Sequence, residues 1–125
     1  MWIFTDTGFL SAVEHRDDKS LLVVRARDRD SLLPLQDMGL EITRSAVSDY
    51  PYRVIISKKV FAEWTSLMTE NIDYPNFKNQ VAVTRGKKFA SVLSGVWSRM
   101  LDAEDDEAHE LRHTHDLSMG FQGHA

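Results

Sequence analysis

The sequence predicts an α+β fold: an antiparallel sheet of about four to five strands, with two longer C-terminal helices packed on one face. Two observations carry this. Residues 1–57 hold short β-forming runs separated by turn residues, whereas residues 58–101 switch to apolar spacing with a helical period. A third, the absence of any repeat, leaves a sheet with helices on one side as the simplest layering.

The elements follow in order. Trp2 to Thr5 is a short β-forming run, and Asp6-Thr7-Gly8 supplies turn chemistry. From Phe9 to Arg16, side chains alternate: Phe9, Ser11, Val13 and His15 point one way and Leu10, Ala12, Glu14 and Arg16 the other. Asp17 to Ser20 is a polar connection. Leu21 to Arg27 is the clearest strand, setting Leu22, Val24 and Ala26 against Leu21, Val23, Arg25 and Arg27. A short helix follows, opened by Asp30 or Ser31, with Pro34 in its first turn and Gly39 as its stop. Leu40 to Arg44 is a further strand, Ser45 to Tyr50 a loop, and Tyr52 to Ser57 a strand whose preceding Pro51 needs no N–H partner.

Val60, Phe61, Trp64, Leu67 and Met68 then share one helical face, between a Ser57 cap and an end at Asn71. Asp73 to Asn76 is a turn, and Phe77 opens another helical turn. Phe89, Val92, Leu93, Val96, Trp97, Met100 and Leu101 give the strongest helical stripe, with Gly95 explained by close packing. Trp64, Trp97, Phe61 and Phe89 are expected in the core, and Trp2 is expected to help cover the sheet.

Composition bounds the function. With 125 residues the chain is expected to form one α+β domain over residues 1–101, followed by an acidic, histidine-containing tail, partly disordered, over 102–125. Acidic residues in the tail extend the last helix by a turn or two, and disorder is expected beyond about Thr114. There is no cysteine, so disulfides, iron–sulfur clusters, thiolate zinc sites and cysteine nucleophiles are excluded. The first residues lack a basic leader and an apolar run, and no stretch approaches the ~18 apolar residues of a membrane span. A cytoplasmic protein with no membrane partner is the expectation. Charge is uneven. Asp102, Glu104, Asp105, Asp106, Glu107, Glu110 and Asp116 face one base, Arg112, in the tail, leaving a body near +2 and a tail near −6. Such a tail is usually a solvated extension, and less often it shields a basic face.

Three constellations are candidates for function. The first is basic and aromatic: Arg25, Arg27, Arg44, Arg53, Lys58 and Lys59 on or beside strands, with Tyr50, Tyr52, Tyr74 and Phe77 nearby in sequence. From it Arg25, Arg27, Tyr50, Tyr52, Arg53, Tyr74 and Phe77 are the candidate binding residues, of types enriched in interaction hot spots. They would equally suit single-stranded nucleic acid, although Asp28, Asp30 and Glu41 are interleaved. The second is His109-Glu110-Leu111-Arg112-His113, an H-E-x-x-H match. Histidines at i and i+4 share a helix face and can reach one zinc ion, with the glutamate activating its water. His109, His113 and His115 are the candidate metal ligands, and Asp116 or His124 could also supply the third. The match sits in a polar tail with no apolar face behind it, where a catalytic zinc would lack an ordered surround. The third, Arg85-Gly86-Lys87-Lys88 before the last long helix, is a weak phosphate site, and a solvated turn is the simpler account. No arrangement of nucleophile and base is present, and no cofactor is implied.

Residues 1–16 (Met-Trp-Ile-Phe-Thr-Asp-Thr-Gly-Phe-Leu-Ser-Ala-Val-Glu-His-Arg), Tyr-Pro-Tyr-Arg-Val at 50–54, Ile-Asp-Tyr-Pro-Asn-Phe-Lys at 72–78 and Val-Trp-Ser at 96–98 resemble a group of small uncharacterised proteins of bacteria and their phages. The resemblance spans about residues 1–101 and brings no site residue. It implies a stand-alone cytoplasmic domain of mobile-element origin. The leading expectation is a non-enzymatic protein-interaction module, a modulator of a host protein. The alternatives are a single-stranded nucleic-acid-binding module and a zinc-dependent hydrolase acting through the tail.

Overall fold

The fold is α+β. In a computed structural model, which describes residues 1–119 and the side chains of 1–115, the strands are β1 (Trp2–Thr5), β2 (Gly8–Glu14), β3 (Leu21–Ala26), β4 (Thr43–Arg44) and β5 (Tyr52–Ser57). The helices are α1 (Leu33–Gln36), α2 (Lys58–Glu70), α3 (Phe77–Arg85), α4 (Lys87–Arg99) and α5 (Asp106–Met119). Two turns of 3-10 helix, Asp30–Leu32 and Met100–Ala103, lead into α1 and out of α4. The chain divides into two units, Met1–Pro75 and Asn76–Ala125.

The first unit holds the whole sheet, in the order β1-β2-β3-β5-β4, with every neighbouring pair antiparallel. Its opening hairpin is tight, Thr5 pairing with Gly8 across Asp6 and Thr7. Gly8 is required by space rather than by its turn: a Cβ there would lie 2.7 Å from the Ser31 Cα. Ser31 is buried at this crossing, where its Oγ accepts from the Phe9 N–H and donates to Asp28. The 3-10 turn is thereby pinned to the start of β2. In the second hairpin Asp18 accepts from the Oγ and the N–H of Ser20, which holds its carboxyl below the usual aspartate range.

Alternation along the strands divides the sheet into two faces. The inner face presents Leu10, Ala12, Val24, Ala26, Val54 and Ile56, all buried. Leu32, Leu35, Ile42, Phe61 and Trp64 cover it. Each fully buried leucine here contributes roughly 1.5–3 kcal/mol through removal of apolar surface from water. The helix α2 starts at Ser57, whose Oγ accepts from the Val60 N–H, and ends at Asn71, as its pattern predicts. Its Phe61 and Trp64 rings stack 5.6 Å apart in the core.

In the second unit, Asn76 caps α3 by accepting from the Asn79 N–H, and Gly86, at φ +91°, links α3 to α4. The single helical turn expected at Phe77 is a nine-residue helix. The stripe predicted on α4 forms, but of its residues only Leu93 is buried, beside Ala90, which the stripe did not include. Val92, Val96, Trp97 and Met100 are exposed, Trp97 at 38%. Helical period identifies an apolar side, not whether anything lies over it. Gly95 meets nothing within 4 Å, so close packing does not explain it. The helix α5 runs to Met119, past the residue Thr114 where the sequence pattern ends it. Acidic residues in its first turn, Asp106 and Glu107, oppose the positive end of the helix dipole, and the Arg112 Nε–H, shared between the two Glu104 carboxylate oxygens at 3.1 and 3.2 Å, joins it to the preceding turn. No described helix is long and apolar enough to cross a membrane.

Candidate functional site: the outer face of the sheet

On the face of the sheet turned away from the core, the strand register arranges side chains in rows, three of them beside the short Leu21–Ser57 pair at the sheet's end. Val13, Val23 and Ile55 form one row across β2, β3 and β5. Trp2, Ser11, Arg25, Arg53 and Thr43 form the next, across all five strands. Phe4 and Phe9 form the third, on β1 and β2. No strand position on this face carries a carboxylate. Trp2 is 69% exposed, Ile55 52% and Val13 39%, and Phe4, Phe9 and Val23 are half-buried. The aromatic rings touch one another, Phe4 stacked on Phe9 at 4.6 Å and Trp2 edge-on to Phe9 at 5.6 Å.

Arg25 and Arg53 stand directly opposite each other in the middle row. Like charges directly opposite are unfavourable, and here a tyrosine and two serines hold the two side chains in place. The Arg25 guanidinium lies 4.6 Å from the centre of the buried Tyr50 ring and donates to Ser11 Oγ at 2.8 Å. Arg27 lies over the same ring at 4.8 Å and donates to the Asp49 carbonyl. Arg53 donates to Ser48 Oγ at 2.6 Å, and the Tyr50 N–H donates to the same oxygen. The loop before β5 is thus fastened across the end of the sheet by arginines. The Nε atoms of Arg25 and Arg53 are buried without a hydrogen-bond partner.

The candidate binding residues separate into three places. Arg25, Arg27, Arg53 and Tyr50 come together. Tyr52, one residue from Arg53, points to the inner face and packs against the core, with Arg29 and Arg44 each 5.9 Å from its ring centre. Tyr74 lines a cleft of about 120 Å³ with Ile3, Thr5, Asp6, Met68 and Ile72. Burial there, reinforced by the charges of Asp6 and Asp73, raises its phenol above the usual tyrosine range. Phe77 begins α3 in the second unit. Lys58 pairs with Glu14 at 2.8 Å on the surface, and Lys59 is exposed.

None of Arg25, Arg27, Arg29, Arg44 and Arg53 forms an ion pair with a carboxylate among the described residues. What the sequence reasoning missed is the apolar part of the face: Trp2, Phe4, Phe9, Val23 and Ile55 were not among its site residues. The signal was present in the alternation of Phe9, Ser11 and Val13, which already separated them from Leu10 and Ala12.

In the tail, His109 and His113 do share one side of α5, their rings parallel at 6.5 Å, and both are exposed, as is His115. No group of three metal-ligating side chains is assembled among the described residues. His124 and the Asp116 side chain lie outside them. Comparison of the chain with protein-family models, with curated proteins and with solved structures gave no match.

Proposed function

We propose that the protein is a non-enzymatic protein-interaction module that docks a partner on the outer face of its sheet. The observation that carries this reading is the pair of apolar groups on this one face, the row Val13–Val23–Ile55 and, across the arginine row, the cluster of Trp2, Phe4 and Phe9. Exposed apolar side chains gathered on one face and bordered by polar ones are characteristic of binding surfaces. Tryptophan and arginine together are the residue types that dominate interface energetics. The resemblance to small bacterial and phage proteins adds a setting: a mobile-element product that modulates a host protein in the cytoplasm and needs no chemistry of its own.

Single-stranded nucleic acid is the second reading, favoured by five arginines that form no ion pair with a carboxylate among the described residues. Against it, the Tyr50 and Tyr52 rings already carry guanidiniums, Phe4 and Phe9 stack on each other, and the row on the other side of the arginines, Val13–Val23–Ile55, is aliphatic. Bases need free flat rings beside free cations.

Affinity capture by the full-length protein from lysate of its own source, with and without nuclease, tests the reading. A stoichiometric protein partner is expected to survive nuclease and to be lost when Ile55→Asp places a charge in the apolar row. Recovery of only nuclease-sensitive material would transfer the assignment to nucleic acid.

A further inference from the structure

We infer that Arg25 and Arg53 form a receptor for a carboxylate, so that the partner of the outer sheet face is a protein segment presenting Asp or Glu among apolar side chains. This rests on the docking reading above and adds the chemical class of the partner.

Three observations support it. The two arginines are register partners on adjacent strands, at the centre of a face whose strand positions carry no acid. Each is oriented by a single serine, Ser11 for Arg25 and Ser48 for Arg53, which leaves other N–H donors of a five-donor group uncommitted. Both are also half-buried among apolar neighbours and both leave Nε unpartnered, so the repulsion is felt in a medium less polar than water. A carboxylate seated between them would remove the like-charge repulsion and accept from both forks at once. Its apolar neighbours would cover Val13, Val23 and Ile55 on one side and Trp2 on the other. A second copy of the same face would bring four arginines together without an acid, so self-association through it is disfavoured.

The test is selection of a random dodecapeptide display library on immobilised full-length protein. Recovered peptides are expected to carry Asp or Glu beside apolar residues. They should bind Arg25→Gln or Arg53→Gln at least about tenfold more weakly than the wild type, a difference of about 1.4 kcal/mol. Replacing the peptide's acids by their amides should produce the same loss. Arg25→Lys, which keeps the charge and loses the fork, should fall between, and it serves if the glutamine variants do not fold. Peptides without acids, or equal binding to the arginine variants, would overturn the carboxylate receptor while leaving the docking face in place. If no peptide is recovered, if Ile55→Asp binds as well as wild type, or if an oligothymidylate displaces the peptides, the docking reading falls and the receptor with it.

Discussion

Tyr74 shows how position decides the behaviour of a residue that sequence could only name. It was grouped with Tyr50 and Tyr52 by proximity along the chain, yet it lies in a separate cleft beside Asp6, where burial first and the neighbouring carboxylates second favour the neutral phenol. The sign follows directly. A group bound to its proton more tightly in the folded state supports the fold fully below its ordinary pKa and loses that support as pH rises through the folded value. Spectroscopic titration at alkaline pH, taken as the difference between wild type and Tyr74→Phe, should therefore show ionisation above the ordinary tyrosine value of about 10. The wild type should also lose stability with rising pH more than Tyr74→Phe does. A difference titration centred at or below the ordinary value would contradict the placement. Tyr50 and Arg25 illustrate the converse: twenty-five residues apart in sequence, they stack because β3 and the loop before β5 share one end of the sheet. No sequence spacing announces that contact.

Elements whose signal is local were legible and those set by packing were not. The β2 and β3 alternation, the Ser57 cap, the Gly39 stop and the α2 stripe all appear where period and capping chemistry place them. The α4 stripe was equally clear, yet most of it is exposed, because amphipathicity is a property of one helix and burial is a property of two surfaces. Asn76 as a cap could have been read, and with it the full length of α3. Two glycines separate the cases. Gly8 faces the Ser31 backbone at a distance no Cβ can occupy, so Gly8→Ala should destabilise by about 1–3 kcal/mol through forced displacement of the 3-10 turn. Gly95 lies in an open stretch of α4, and Gly95→Ala should stabilise by roughly 0.5–1 kcal/mol through helix propensity. Chemical denaturation of both variants checks the pair, and destabilisation by Gly95→Ala would show that the α4 surface is packed against something.

At the scale of the whole molecule, the sheet is finished on one side and open on the other. Its inner face is covered by α2, by α1 and the 3-10 turn before it, and by Ile42, while its outer face keeps Trp2, Val13 and Ile55 in solvent around two arginines without acids. This exposed apolar surface is what the docking proposal rests on. The measurement that tests this most directly is side-chain footprinting of the full-length protein, by carbene or hydroxyl radical labelling, alone and with the partner recovered by capture. Protection concentrated on Trp2, Phe4, Phe9, Val13 and Ile55 is the predicted result. Unchanged labelling there, with protection appearing instead on the exposed side of α2 around Leu67 or on α4 around Val92, would contradict the assignment of the outer sheet face as the docking surface.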